Sequence, residues 1–212
     1  MVHKDPSELS QTRKELRERI ILTAIDAFEK HGIKSVTMDE IAASLSISKR
    51  TLYEIFRDKE TLLEACVERR HELFKQSVDA LVQDAENVIE VIMTVYKRTL
   101  ELYHSTHKRF FEDLAKYPRL KAINRHSEEE EAQSQLNFFR KGVEQGIFRD
   151  DINFLITREL SRVQMSLLND ADVCRRFSFE EVFESIVLVG VRGICTEKGR
   201  AILDEYVKNH RI

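Results

Sequence analysis

The 212-residue sequence predicts an all-α protein: a three-helix helix-turn-helix module at residues 1–57, then a larger helical bundle at residues 58–212. Three observations carry that prediction. Only two prolines and six glycines interrupt the chain, whereas Leu, Glu, Lys, Arg, Ala and Ile supply long stretches of good helix formers. Apolar residues recur at three- and four-residue steps, the spacing of one helix face. Helix-start signatures stand where these stripes begin.

Taken in order, Leu16, Ile20, Ile21, Ala24, Ala27 and Phe28 mark the first helix, with Gly32 as its C-terminal stop. Thr37-Met38-Asp39-Glu40 matches a capping box, in which hydroxyl and carboxylate each satisfy an unpaired backbone N–H, so a second helix starts near Met38. It runs to about Leu45, because Ser46-Ile47-Ser48 offers turn and N-cap chemistry. A third short helix spans Lys49 to Phe56. Asp58 caps a fourth, whose stripe of Leu62, Leu63, Cys66, Val67, Phe74, Val78 and Leu81 lasts more than five turns. Further helices are expected at roughly 86–104, 107–115, 119–145, 151–169, 179–196 and 199–209. Tyr117-Pro118 and Gly146 provide breaks, and Asp150-Asp151 places negative charge where a helix N-terminus favours it.

Two short helices joined by three residues, behind a longer supporting helix, form the arrangement in which the second short helix can lie in a major groove. Ile41, Leu45, Ile47, Leu52 and Ile55 can converge on the first helix, and small Ala42 lets the pair cross closely. Ser48, Lys49, Arg50, Tyr53 and Glu54 are left outward.

Here the sequence resembles the TetR family of one-component transcriptional regulators, in Thr37-Met38-Asp39-Glu40-Ile41-Ala42 and in the run from Ser48 to Glu60. Two departures stand out. Ser46 occupies a turn position usually held by Gly, which asks a side chain to adopt a left-handed conformation. Arg50 replaces another common Gly and adds a fork suited to guanine O6 and N7. The resemblance implies that Thr37, Tyr53 and Lys59 hold phosphates of a double-stranded operator, while Ser48, Lys49, Arg50 and Thr51 approach base edges.

Charge gives no global sign of nucleic-acid binding: charged residues make up 33% of the chain and the formal net charge is −3. Any DNA-binding face must be local, built from Arg13, Lys14, Arg17, Lys49, Arg50 and Lys59 with Asp26 and Glu29 turned away. Cys66, Cys174 and Cys195 are widely spaced and form no C-x-x-C pair, against both a disulfide framework and a zinc finger. No export signal is expected from Met1 to Ser10. The most apolar run, Ile186 to Val191, is far shorter than the about 20 residues a membrane span needs. A cytoplasmic location is expected.

Paired half-sites call for a dimer. Phe179, Val182, Phe183, Ile186, Val187, Val189, Gly190, Val191 and Ile194 make a helix apolar on nearly all sides. Phe183, Val187, Val191 and Ile194, together with Leu160 and Leu167 of the preceding helix, are the interface candidates; Leu155, Val163 and Leu168 extend them, and the resemblance implies a four-helix arrangement between two subunits. Met93, Tyr96, Tyr103, His104, Phe110, Phe111, Phe138, Phe139 and Met165 suit either an ordinary core or an apolar ligand pocket. The resemblance implies a pocket for a small-molecule effector between helices four to eight, and repression as the output.

Readings from other classes have thinner support. Glu68-x-x-His71 and Glu101-x-x-His104 match the spacing of dinuclear carboxylate metal sites, but two further inward glutamates are required and Glu68 lies in a charged stretch. A protein-binding helical module without DNA affinity is the remaining alternative. No nucleophile elbow, phosphate-binding glycine loop or H-E-x-x-H segment is present, so the chain is read as neither an enzyme nor a cofactor protein, with no metal assigned.

Overall fold

The computed structural model describes residues 6–114, 116–117, 128–169 and 171–210. Its elements are α1 (Pro6–His31), α2 (Met38–Ser44), α3 (Lys49–Ile55), α4 (Lys59–Asp84), α5 (Val88–Ser105), α6 (Lys108–Leu114), α7 (Glu128–Glu144), α8 (Phe154–Met165), a 3-10 turn (Ser166–Asn169), α9 (Ala171–Arg176), α10 (Phe179–Ile194) and α11 (Glu197–His210). Pairing of extended backbone among the described residues is confined to one antiparallel bridge, Phe148 to Cys195. The helix expected at 119–145 is described from Glu128 onward; its first part lies outside the described residues.

The chain forms two compact units, Met1–Gln76 with Tyr103–Arg125, and Ser77–Leu102 with His126–Ile212. The boundary expected at residues 57/58 falls inside the first unit. The reason lies in the core: Ile20, Ile21, Ala24 and Phe28 of α1 and Ile41 and Leu52 of α2 and α3 pack with Leu62, Leu63, Ala65 and Cys66 of α4 and Phe110 of α6. Each large side chain buried this way contributes about 1.5–3 kcal/mol. Local chemistry sets the element ends. Gly32 ends α1 at φ +83, where its N–H donates to the Phe28 carbonyl at 2.9 Å. Ser46 does take the left-handed conformation, φ 54, and the Ser46 and Ile47 N–H groups donate back to Ala43 and Ala42.

Asp58 caps α4 by accepting from the backbone N–H and the hydroxyl of Thr61, both at 2.8 Å. Those bonds, with help from Arg57, hold its carboxyl down at about 2, below the ordinary 3.8. A carboxyl depressed in the folded state stabilises most above its unfolded pKa, and that stabilisation is lost as pH falls through the folded value. Asp58→Asn retains a capping oxygen but cannot titrate. Urea unfolding at pH 5 and pH 3 should therefore show a smaller acid-induced loss in the variant than in the wild type; equal losses would refute the assignment.

In the second unit, Val88, Ile89, Met93 and Tyr96 of α5 pack with Ile147, Phe148, Phe183, Val191, Ile194, Cys195 and Leu203. Gly146 ends α7 at φ +67, and the following backbone is held to the end of α10: Arg149 N–H donates to Ile194 and Thr196 N–H to Ile147, each at 2.9 Å. Phe148 lies so close to Gly142 that a Cβ there would come within 2.1 Å of the ring.

Three local expectations need correction. The helix expected from residue 151 starts at Phe154, because the Asn153 side chain accepts from the N–H groups of Leu155 and Ile156 while Asp151 is taken by the Arg149 guanidinium. That helix ends at Met165 and passes into a 3-10 turn instead of running on to 169. The short helix α9 has no counterpart in the expected elements. A second capping box, Ser178 with Glu181, starts α10 with the same signature that marks α2.

Candidate nucleic-acid interface

The outward surface of α2 and α3 follows from what these helices bury. Leu52 and Phe56 face the core of the first unit, which turns Ser48, Lys49, Arg50, Tyr53 and Glu54 to the exterior. Tyr53 is 49% exposed. The Arg50 side chain is 89% exposed.

At the start of α2 the Thr37 hydroxyl accepts from the Glu40 N–H and donates to Glu40 Oε2, while the Thr37 N–H donates to the same oxygen at 2.7 Å. These bonds hold the Glu40 carboxyl below its ordinary range. At the start of α3, Ser48 Oγ accepts from the Thr51 N–H at 3.0 Å and shares a hydroxyl hydrogen bond with Thr51. Both short helices thus stand on caps legible in the sequence.

The cations are less free than their residue types suggest. Lys49 pairs with Asp39 of α2, and Arg50 Nε donates to Glu54 Oε1 at 2.9 Å. The Lys59 ammonium donates to the Val36 carbonyl and sits 5.8 Å from the Phe28 ring centre. Burial pushes Lys59 below the ordinary lysine range, against the opposing pull of Asp113 and Glu40. Asp26 pairs with Lys30 and Glu29 with Arg70, so these acids are occupied within the protein.

Sequence reasoning missed the groups that hold α3 in place. Arg13 Nη2 donates to the backbone carbonyl of Glu54 at 3.0 Å, and the Arg17 guanidinium lies 5.3 Å from the Phe56 ring centre. Both come from α1, and no local spacing signals them. The Arg50–Glu54 pair, by contrast, was open to detection from its i, i+4 spacing.

The ligand candidates divide between the units. Phe110 is buried in the first core with Phe111 packed on it, and Tyr103 stacks on Phe111 at 5.3 Å; His104 is exposed beside Tyr103. Met93 and Tyr96 are buried in the second core, with Phe138, Phe139 and Met165 packed against it. Tyr96 stacks on Phe183 at 5.2 Å. A groove lined by Asp79, Val82, Gln83, Ser134, Asn137, Phe138 and Lys141 contains one of these candidates, Phe138.

The interface candidates also separate. Phe183, Val191 and Ile194 belong to the second core, and Val187 is half-buried against it. Leu160 and Leu167 are exposed, as are Leu155, Ile156, Val163 and Val189. Gly190 and Gly193 have open space where a Cβ would stand.

Among the described residues, no three His, Cys, Asp or Glu side chains gather as a metal site would require, so the Glu-x-x-His segments form no such cluster. Cys66 and Cys195 are buried free thiols; burial pushes them up to about 12 and about 11. No described helix is long and apolar enough to cross a membrane.

Residues 20–66, which hold this arrangement, match the family model described as bacterial regulatory proteins, tetR family. Over 79 residues the chain is 32% identical to an HTH-type transcriptional regulator of Staphylococcus aureus (strain USA300), a match covering 37% of this chain and 43% of that protein. The chain therefore spans less than half the length of that relative. The fold is similar to a transcriptional regulator from Cytophaga hutchinsonii ATCC 33406, with TM-score 0.68, 17% identity and coverage of 84% of this chain and 98% of the other. It is also similar to a putative transcriptional regulator from Saccharomonospora viridis in complex with choline, with TM-score 0.60, 20% identity and coverage of 87% and 100%.

Proposed function

We propose that the chain, whose residues 20–66 match the family model of bacterial regulatory proteins, tetR family, is a TetR-type sequence-specific DNA-binding regulator, a dimeric repressor released from a palindromic operator by a small, largely apolar effector. The observation that carries this reading is α3 itself: a capped helix, anchored behind by Leu52 and Phe56, that presents Arg50 and Tyr53 to the exterior. Residues 1–57 supply the reading head and residues 58–212 the effector and dimer functions.

In the complex, Arg50 donates two N–H groups to guanine O6 and N7, with Ser48, Lys49 and Thr51 at neighbouring base edges. Tyr53, Thr37 and Lys59 fix the register on phosphates. Lys59 reaches a phosphate by exchanging the Val36 carbonyl for it, and Thr37 reaches one by opening its hydroxyl bond to Glu40.

The second copy covers Leu160, Leu167 and Val189, where Gly190 and Gly193 permit close approach. An effector acts by favouring a conformation whose two reading heads are wrongly spaced for successive grooves, about 34–36 Å apart. The aromatic and methionine side chains of the second core suit an apolar guest. A cytoplasmic location follows from the role.

The test is selection of bound duplexes from a random double-stranded pool by the purified protein and by Arg50→Ala, at two salt concentrations. The wild type should enrich a palindrome, with weaker binding at higher salt. Arg50→Ala should relax one position of each half-site by about 1–3 kcal/mol. Failure to enrich any sequence at low salt would overturn the reading.

A further inference from the structure

Arg50 and Glu54 stand one helical turn apart on the exposed side of α3, with side chains 89% and 57% exposed. An exposed pair at this spacing adds little to folding, so stability alone does not account for an acid on this surface. Facing DNA, a carboxylate is repelled by phosphates and by every base edge that offers only acceptors. It is favourable where it meets a donor, and cytosine N4–H2 is the major-groove group it fits best.

The geometry leaves Glu54 able to do this. Its contact with Arg50 uses only Oε1 and Nε, so Oε2 and both terminal amino groups of Arg50 stay available to bases. Its backbone is fixed from behind by Arg13, which donates to the Glu54 carbonyl at 3.0 Å. Lys49, the other nearby cation, is engaged by Asp39. Resting on the DNA-reading proposal above, we infer that Glu54 is a specificity-determining residue that accepts a hydrogen bond from cytosine N4, beside the guanine read by Arg50. The pair reads as one unit, because the Arg50 guanidinium offsets the Glu54 charge near the phosphates while each partner presents its remaining atoms to a different base.

The experiment is the same duplex selection with the full chain, comparing wild type, Glu54→Gln and Glu54→Ala, with thermal unfolding of each variant alongside. Wild type should enrich cytosine at one position per half-site, beside the guanine. Glutamine pairs with adenine N6 and N7, so Glu54→Gln should shift that single position from cytosine to adenine, by roughly tenfold in relative affinity. Glu54→Ala should leave the position unselective and the guanine preference in place. If both variants keep the cytosine, or lose the guanine preference instead, Glu54 does not read a base and the inference falls while the DNA-binding reading stands. If wild type enriches no sequence, both fall.

Discussion

A protein carrying Leu160→Asp and Val189→Asp should sediment as a folded monomer at concentrations where the proposed dimer of the wild type should persist. No residue of α8 is fully buried, although Phe154 and Met165 at its ends pack against the second core; Leu160 on it is 58% exposed, and Val189 on α10 is 68% exposed. The uncovered apolar stripe of α8 suits the second copy proposed above. Covering a leucine or valine contributes about 1.5–3 kcal/mol, and the same symmetric patch is covered twice in a two-fold dimer. Two carboxylates buried there per subunit would reverse the sign of that contribution, for a loss of at least about 100-fold in dimer affinity. Because both positions are exposed in the subunit, unfolding should change by only about 0.5 kcal/mol. Binding to a two-half-site operator should fall with dimerisation. A variant that remains dimeric at micromolar concentration would place the interface elsewhere.

Phe28→Ala carries the other large effect, this time on stability. Phe28 is fully buried in the first unit, and its ring also lies beneath the Lys59 ammonium. Removing a buried aromatic ring costs about 3–5 kcal/mol through lost transfer energy and the cavity left behind. Against a typical domain stability of about 5–15 kcal/mol, that is a substantial share. Urea unfolding should show a lower midpoint with a similar slope. A change below about 1 kcal/mol would mean that the unit repacks around the missing ring. DNA binding should weaken in step with the unfolded fraction, since α3 is backed by this same core.

The reading head was legible because its determinants are local. A capping box needs four residues, the α2–α3 turn needs Ser46 in one special conformation, and Leu52 and Phe56 show the buried side by spacing alone. The start of α8 was misread for a local reason as well: Asp151 and Asn153 both suit a cap, and Arg149 engages the aspartate. Nothing in the sequence ranks those two competitors.

By itself, the sequence determined the helical class, the paired short helices, their caps and the outward set from Ser48 to Glu54, all of which follow from interactions within a few residues. Only the tertiary structure decided which apolar residues of α8 and α10 are core and which are surface. Helix α10 is apolar nearly all round, so periodicity could not show that Phe183, Val191 and Ile194 turn inward and Val189 outward. Likewise it took packing between distant segments to join Phe110 to the first core, to bring Arg13 to the carbonyl of Glu54 and to seat Lys59 on Val36. The physical reason is range: caps and turns are settled by neighbours along the chain, whereas burial and long-range pairing depend on residues brought together only by folding.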